Sequence, residues 1–276
     1  MNRTTDRCDL HIHSHYSDGT LSPAELVGMA RRAGLSACSI TDHDNIEGQH
    51  EALREGERLG IEVLEGVEFS VHVRDQDIHI LGYLVDIGDE TLKRQLDYLG
   101  GARLERAAEI VRRLAGAGLD IPLEEVVQLS GKGTVGRPHI AQVLVRHNLV
   151  SGFQAAFGRY IGEGKPCYVP KTVLPLERVA TLIREAGGVA VWAHPGDRVR
   201  DRLLLDEIAG AGVAGLEAYH PNHDPRTVNE IESAARERGL ITTGGSDYHF
   251  FEAKQIDVGG VTAPYSAVLA LRSAVI

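Results

Sequence analysis

The chain has 276 residues, 43% of them hydrophobic, which is enough to bury a substantial core in one main domain. Its formal net charge of −10 argues against a broad basic face that would bind duplex DNA. Small nucleotides or a strand end suit this charge better. The three cysteines suggest no disulfide framework, and there is no apolar leader or membrane-crossing stretch. We therefore expect a cytoplasmic protein that does not bind membranes.

The first predicted strand carries two histidines on one face. Segment 9–14 reads DLHIHS, and alternate residues of a strand share a face, so His11 and His13 converge while the apolar residues between them point the other way. Asp18 follows in a turn. Imidazole nitrogen is a common ligand of divalent transition metals. Taken alone, the pair fits equally well as two surface histidines beside a turn, so its interpretation depends on the rest of the chain.

Further metal-binding side chains accompany other predicted strands. Six more runs have the composition of strands: 35–41, 61–67, 77–83, 188–193, 212–219 and 240–246. The candidate ligands here are His43, Glu68, His79, His194, Asp247 and His249. All of them except His79 follow the end of such a run. The carboxyl ends of parallel strands form the edge where α/β proteins build their sites. Histidines that only filled a core would be scattered over strand positions, so this placement favours a shared metal site.

Helices are predicted between these strands. The sequence Ser22-Pro23-Ala24-Glu25 is a capping box with proline at the first helical position, and the helix is expected to run to Arg32. Other helices are expected over 46–59, 175–186, 201–211 and 224–238, each with a glycine shortly after it. Seven strands alternating with helices indicate an α/β fold with a parallel barrel.

One segment interrupts this alternation. From about 89 to 171 the apolar spacing is helical throughout, which predicts an all-helical insertion that caps a barrel formed by 1–88 and 172–276. The insertion has 12 basic against 9 acidic residues, while the remainder has 17 against 30. This excess agrees with an anionic ligand, although solvated helix faces carry such charge for solubility alone.

Two short motifs in the insertion suggest phosphate contacts. Arg137 and His139 flank a proline at a predicted helix start, which is a good position for an anion, and Lys165 lies between glycine and proline on the way back to the barrel. The alternative for Arg137 is an ordinary surface ion pair, and for Lys165 a solvated loop. Four aromatic residues suit either base stacking or the core of the insertion: Phe153, Phe157, Tyr160 and Tyr168.

The motifs together resemble the polymerase and histidinol phosphatase (PHP) family of metal-dependent phosphoesterases. They span residues 9 to 249 and read DLHIHS, TDHD, GVEFS, HILGY, AHPG and GSDYH. The motifs GRPHIA and GKPCYVP are most similar to the branch that includes a 3′,5′-nucleotide bisphosphate phosphatase and a 5′-to-3′ exoribonuclease. The resemblance implies a distorted seven-unit βα barrel with two or three divalent ions. Manganese is the first choice, and iron, zinc or magnesium are alternatives.

The resemblance also implies how nine ligands share these ions. The first implied group is His11, His13, Glu68 and Asp247, the second is Glu68, His79 and His194, and the third is Asp18, His43 and His249. Glu68 therefore belongs to both the first and the second group. His15 lies near the first group and is an alternative to Asp18. The candidates for supporting the ligands or contacting substrate are Asp44, Glu217, His220 and His223. Each fits equally well as a polar residue that is hydrogen-bonded within a loop.

The implied reaction is hydrolysis of a phosphate monoester of a nucleotide. Divalent ions bring more positive charge than three carboxylates offset, so an anionic substrate completes the balance. We expect conversion of a 3′,5′-nucleoside bisphosphate to the 5′-monophosphate, together with 5′-to-3′ trimming of short RNA. The expected phosphate contacts are Arg137, His139, Lys165 and His223, and the candidate proton donors are Asp44, His194 and His249. A histidinol-phosphate phosphatase and a non-catalytic, metal-stabilised module remain open as alternatives.

Overall fold

A computed structural model describes residues 6–249 and 256–275, and it contains all seven predicted strands and a short eighth. They are β1 Arg7–Ile12, β2 Ala37–Ile40, β3 Glu62–Val73, β4 Gln76–Tyr83, β5 Val189–Trp192, β6 Gly215–Tyr219, β7 Ile241–Gly244 and β8 Ala263–Pro264. They form one sheet in the order β7-β6-β5-β4-β3-β2-β1-β8. The chain after β7 returns to β1, where Asp247 N donates to His11 O at 2.8 Å. The sheet therefore nearly closes into a barrel.

The helices occupy the predicted positions and several more. They are α1 Pro23–Arg32, α2 Gln49–Leu59, α3 Glu90–Gly116, α4 Leu123–Ser130, α5 Arg137–Arg146, α6 Phe153–Ala156, α7 Leu176–Glu185, α8 Arg202–Gly210, α9 Pro225–Arg238 and α10 Ser266–Ala274, with a π-helical turn at Phe157–Ile161 and a 3-10 helix at Gly196–Arg200. The predicted capping box is present, since Glu25 N donates to Ser22 Oγ and Ser22 N donates to Glu25 Oε2. Among the described residues, none of these helices is both long and apolar enough to cross a bilayer.

The prediction of a wholly parallel barrel is wrong at β4, which runs antiparallel to both of its neighbours, β3 and β5. Only Arg74 and Asp75 separate β3 from β4, and their φ angles are 48° and 58°. Two successive residues with positive φ make the tight turn of a β-hairpin, which leaves no room for a helix. As a consequence, the start of β4 lies at the edge where the parallel strands end.

The sheet packs against helices on one face and fills the barrel with the other. Phe69, Ile80 and Trp192 pack in a cluster with residues of α7, α8 and α9. Leu10 and Val191 belong to a different cluster that α10 joins. The two clusters use opposite faces of the strands because neighbouring residues of a strand point to opposite sides.

The helical segment between β4 and β5 has a core of its own. The first turns of α3 pack against the barrel through Leu92, Leu96 and Leu99. Its later turns, with Ile110 and Leu114, belong to a separate cluster with α4 and α5. The packing therefore divides within α3, several turns after the predicted boundary at residue 89. The predicted barrel segments also include positions 1–5, 250–255 and 276, which lie outside the described residues.

A buried glutamine joins the neighbouring strands β2 and β3 beneath the predicted site. Gln49, the first residue of α2, donates through Nε2 to Ile40 O at 2.8 Å and to Gly66 O at 2.7 Å. Its Oε1 accepts from Gly66 N at 3.3 Å. Gln49 therefore fixes the end of β2 to the middle of β3, close to His43 and Glu68.

The change Gln49→Met preserves volume but leaves buried backbone groups of β2 and β3 unpaired. We expect the free energy of unfolding to fall by about 2–3 kcal/mol, because each buried unsatisfied group costs roughly 1–3 kcal/mol. Denaturant unfolding measures this difference. The exposed Gln128→Met in α4 is the control and should change stability by less than about 0.5 kcal/mol. Equal stability of the two variants would contradict the proposed clamp.

Candidate metal centre

The predicted metal ligands meet at one edge of the sheet. Their ligand atoms form four overlapping groups in which every atom lies within 4.8 Å of the others. The groups are His13, Asp18, His43 and His249, then His11, Glu68 and His194, then His11, His13 and Asp247, then His43, Glu68 and His79. All nine side chains therefore surround one volume.

Glu68 is at the centre of this arrangement. Its Oε1 lies 2.8 Å from His79 Nδ1 and 3.3 Å from His194 Nε2. Its Oε2 lies 2.9 Å from His43 Nδ1 and 3.2 Å from His13 Nε2. His11 Nε2 also lies 3.5 Å from Oε2. Since each oxygen faces at least two imidazoles, the carboxylate has the geometry of a bridging ligand.

Several of these atoms are buried without a hydrogen-bond partner. Within the described residues, they include Asp18 Oδ1, His43 Nδ1, Glu68 Oε2 and His79 Nδ1. His43 Nδ1 and Glu68 Oε2 lie 2.9 Å apart and yet are not aligned as donor and acceptor. Close but misaligned atoms of this kind suit groups that face a common cation. Imidazole nitrogen with carboxylate oxygen is a donor set that divalent transition metals bind, so these residues fit such ions.

The electrostatics of the cluster also favour bound cations. Burial alone would raise the pKa values of Asp18, Glu68 and Asp247, but the surrounding histidines hold all three well below their usual range. Burial likewise lowers the pKa of His11, but the carboxylates of Glu217, Asp247 and Glu68 outweigh it and raise that pKa well above its usual value. Three buried carboxylates therefore draw positive charge into this volume, and divalent ions would supply it.

Glu217 supports the ligands from behind. Its Oε1 accepts a hydrogen bond from His11 Nδ1 at 2.9 Å, and its Oε2 accepts one from His194 N at 2.7 Å. The first bond orients the His11 ring and leaves Nε2 for the cluster, and the second fixes the loop that carries His194. Glu217 is fully buried on β6, so both bonds are shielded from water.

Two buried aspartates fix the loops that carry acidic ligands. Asp42 accepts hydrogen bonds from Ser14 N at 2.8 Å and from Ser17 Oγ at 2.6 Å, which orders the turn leading to Asp18. Asp9 accepts from Ser246 N at 2.9 Å, next to Asp247. Both ligands therefore sit in loops that are anchored to the barrel.

Three residues in or next to the cluster have left-handed backbone conformations. Asp44, His194 and Asp247 have φ angles of 50°, 31° and 49°. Such angles cost non-glycine residues of order 1 kcal/mol each. Each strained residue is held by its own N–H, which donates to Glu68 O, to Glu217 Oε2 and to His11 O respectively. Gly245 lets this last loop approach, because a Cβ there would lie 2.4 Å from His11 N.

A cavity of about 260 Å³ opens beside the cluster. On one side it is lined by Asp18, His43 and His79, and on the other by four cationic side chains: Arg103, Arg106, Arg137 and Lys171. We call this cavity the anion pocket. A second groove lies beyond His194 and Asp247.

Comparison with known proteins identifies the family, since residues 9–153 match the PHP domain. The chain belongs to the PHP family. A 3′,5′-nucleoside bisphosphate phosphatase from Chromobacterium violaceum is 34% identical over 247 residues, which cover 87% of this chain and 86% of that protein. A 5′-3′ exoribonuclease from Haemophilus influenzae is 35% identical over 252 residues, which cover 89% and 91%. A structure from Bifidobacterium adolescentis, named as a metal-dependent phosphoesterase, matches with a TM-score of 0.89 at 30% identity and covers 98% and 96%.

These relatives confirm the family predicted from the motifs. They are hydrolases of phosphoester bonds, which also confirms the predicted enzyme class. Metal dependence is in the name of the solved relative, and the cluster in this PHP protein is compatible with it.

The four groups of candidate ligand atoms in this PHP protein do not coincide with the three implied groups, and the difference is clearest for His79 and His194. His79 and His194 were expected to share an ion through Glu68. Instead, His79 groups with His43 and Glu68, while His194 groups with His11 and Glu68. His15 was the alternative to Asp18 as a metal ligand. His15 is exposed and belongs to none of the four groups, whereas Asp18 belongs to one.

Of the four predicted phosphate contacts in this PHP protein, only Arg137 lines the anion pocket. His139 is buried, and its Nδ1 accepts from Gly136 N at 3.0 Å. Lys165 is exposed in its loop. His223 uses both ring nitrogens on the backbone, accepting from Gly196 N and donating to Ala218 O. In the structure these three side chains have capping, solvent-facing and loop-bracing positions, and His223 also lines the groove beyond His194 and Asp247.

The position of Asp44 argues against its predicted role as a proton donor. Arg103 donates to Asp44 Oδ2 through Nε at 2.8 Å and through Nη2 as well, and both side chains are buried. The Asp44 carboxylate therefore faces α3 and belongs to none of the four ligand groups, so it is not placed to give a proton to a substrate held there. His194 and His249 do lie in the cluster.

Sequence reasoning missed Arg103, Arg106 and Lys171. For the arginines a signal was present, because the buried face of α3 continues from apolar residues to positions 103 and 106 with the same spacing. A charged side chain on the buried stripe of an amphipathic helix is unusual and indicates a buried partner or ligand. Lys171 gave no comparable signal, since it lies in an irregular segment.

The change Glu217→Gln tests the support of the ligands. Glutamine has one acceptor oxygen, so either His11 Nδ1 or His194 N must face an NH₂ group. We expect affinity for Mn²⁺ to fall about 10–100-fold, as is usual when such an outer partner is lost. Equilibrium dialysis with metal analysis measures it. Glu237→Gln, at a half-exposed carboxylate on α9, is the control, and identical metal affinity in both variants would contradict this role.

Proposed function

We propose that this PHP protein hydrolyses a phosphate monoester of a nucleotide, converting a nucleoside 3′,5′-bisphosphate to the 5′-monophosphate. The observation that carries the proposal is the anion pocket, in which four cationic side chains face the metal cluster. A substrate with one phosphate at the cluster and another among the cations matches this arrangement. The bisphosphate phosphatase from Chromobacterium violaceum, similar over most of the chain, supports the same substrate class.

The nine ligands would hold two or three divalent ions, with manganese as the first choice. Ions held there would activate water for attack on phosphorus and stabilise charge on the phosphoryl oxygens. The protein's own part is placement, since the ligand loops are anchored by Glu217, Asp42 and Asp9.

The four cations of the anion pocket would bind the second phosphate. Arg137 is oriented by the rings of Phe157 and Tyr168, each 5.5 Å from its guanidinium carbon. Burial, followed by the charges of Arg137 and Arg103, lowers the pKa of Arg106 to about 10. Burial and Arg103 likewise lower the pKa of Lys171 to about 8. Cations that repel one another in a buried pocket are stabilised by a bound anion.

The helical segment 89–171, between barrel segments 1–88 and 172–276, would then act as a cap over the site. It supplies all four of these cations to the anion pocket, while the barrel supplies the metal ligands. Phe157 lines the pocket as well, whereas Phe153 and Tyr160 pack against the cap's own core.

Proton donation to the leaving oxygen would fall to His194. A histidine that holds a cation through one nitrogen has only the other as a donor. For His249 that nitrogen is Nδ1, which already donates to Asp247 O at 2.8 Å. His194 faces the groove beyond the cluster, where a leaving group has room to depart.

Trimming of short RNA from its 5′ end is the second candidate activity. The similarity to the exoribonuclease from Haemophilus influenzae favours it. The chemistry at phosphorus would be shared, and only the leaving group would differ.

Phosphate release with Mn²⁺ from three substrates separates these possibilities. We expect adenosine 3′,5′-bisphosphate to be cleaved best, and a 5′-phosphorylated oligoribonucleotide to yield mononucleotides more slowly. Preference for histidinol phosphate would replace the proposal with the histidinol-phosphate phosphatase function. No release from any of the three by metal-loaded protein would favour a non-catalytic module.

The change Arg137→Ala should raise KM for adenosine 3′,5′-bisphosphate by about tenfold or more, because a charge-assisted hydrogen bond is worth roughly 1.5–3 kcal/mol. KM for a small aryl phosphate, which has no second phosphate, should change little. The matched control is Arg159→Ala, at an exposed arginine of the same helical segment. Equal effects of Arg137→Ala on both substrates would remove Arg137 from the second phosphate.

A further inference from the structure

A second cavity lies on the far side of the Asp44–Arg103 ion pair from the anion pocket. It has a volume of about 390 Å³ and is bordered by residues 44–47, by α3 and α4, and by residues 130–135. We call it the side cleft. Thr134 lines both cavities, while Asp44 lines the side cleft and Arg103 lines the anion pocket. A ligand anchored in the anion pocket therefore has the side cleft next to it.

The wall between the two cavities is firmly held. Thr134 Oγ1 donates to His43 O at 2.9 Å, and Thr134 N donates to Tyr16 O at 3.0 Å. Asp44 N donates to Glu68 O at 2.9 Å. The side cleft thus keeps a fixed position relative to the metal cluster.

The side cleft suits a neutral ring better than a phosphate. Its apolar walls come from Ile46, Leu96, Leu104, Val127 and Val135. Its charges balance, because two lysines at its rim oppose Glu47 and Asp97 while Arg103 neutralises Asp44. The anion pocket, with four cations against two aspartates, has the opposite character. The two cavities therefore match the two chemical halves of a nucleotide.

One buried oxygen in the side cleft lacks a partner. Arg103 donates through Nε and Nη2 to Asp44 Oδ2. Among the residues that the structure describes, none is a hydrogen-bond partner of Asp44 Oδ1, although Asp44 is only 3% exposed. Leaving such an acceptor unpaired is costly. A ligand that brings an N–H or O–H donor to this point would remove the cost. Amino groups of bases and hydroxyl groups of ribose are donors of this kind.

We infer that the side cleft binds the nucleoside part of the substrate, with the base against the apolar walls and a base amine or ribose hydroxyl donating to Asp44 Oδ1. The inference rests on the proposed nucleotide phosphatase function and specifies where its substrate is recognised. The volume lies within the range of roughly 300–1,000 Å³ that is usual for small-molecule sites.

Two adjacent glycines in α3 provide a matched test. Gly100 lines the side cleft, and a Cβ there would meet no atom within 4 Å, so the backbone has room for a side chain and Gly100→Phe adds a ring at the wall of the cleft. Gly101 is exposed and equally open, so Gly101→Phe is the control. Both changes replace a glycine inside a helix, which raises helix propensity.

Binding to the Mn²⁺-loaded protein is measured by calorimetry with adenosine 5′-monophosphate, the expected product, and with inorganic phosphate. We expect Gly100→Phe to raise Kd for the nucleotide by about tenfold, as loss of one stacked base would. Kd for phosphate should stay within about twofold. Gly101→Phe should change neither value, and Leu104→Ser, which removes one apolar wall from the side cleft, should weaken only the nucleotide.

Three outcomes would overturn the inference. They are unchanged nucleotide binding in both Gly100→Phe and Leu104→Ser, equal weakening of nucleotide and phosphate by Gly100→Phe, and nucleotide binding to the unchanged protein that is no tighter than phosphate binding. If any of these occurs while phosphate release from adenosine 3′,5′-bisphosphate is normal, only the assignment of the side cleft as the nucleoside site is wrong. If no phosphate is released from any nucleotide, the proposed phosphatase function itself is wrong.

Discussion

The buried carboxylate of Glu68 is the constraint on which the rest of the site depends. It is 1% exposed, and its two oxygens face imidazoles from four separate segments of the chain. A carboxylate in such a position is expensive unless positive charge meets it from nearby. The fold brings histidines to it by ending one strand after another at the same edge. Imidazoles that bind a metal are neutral and leave three carboxylates unbalanced, so the geometry that gathers these residues favours bound cations.

The reversed direction of β4 brings a further histidine to Glu68. In a strictly parallel barrel, His79 near the start of its strand would lie at the edge opposite the other ligands. The two-residue turn at Arg74 and Asp75 reverses the strand and brings His79 Nδ1 to 2.8 Å from Glu68 Oε1. The break in the strand-helix alternation therefore places one of the nine ligands.

How far the sequence predicted this arrangement depends on the range of the interactions involved. Alternation along β1 and the capping box of α1 are local, and both were predicted correctly. The direction of β4 was missed because the turn contains no glycine, the usual mark of positive φ. His223 was taken for a phosphate contact because nothing local shows that the backbone of Gly196 and Ala218 occupies its ring. For Arg103 the spacing along α3 could have predicted a buried position. Its partner Asp44 could not be predicted, because it lies 59 residues away in the chain.

The ion pair between Asp44 and Arg103 joins the metal cluster to the helices above it. Asp44 follows β2, and its N–H holds the backbone of Glu68, while its carboxylate holds a guanidinium from α3. Because both charges are buried, removing either one leaves the other uncompensated, at a cost of about 3–5 kcal/mol. Loss of activity on changing Asp44 would therefore reflect release of Arg103 and displacement of Glu68 as much as any role in the chemistry. Asp44 therefore holds the anion pocket in a fixed position relative to the cluster. It links the later helices of segment 89–171, which have their own core, to the strands that carry the cluster.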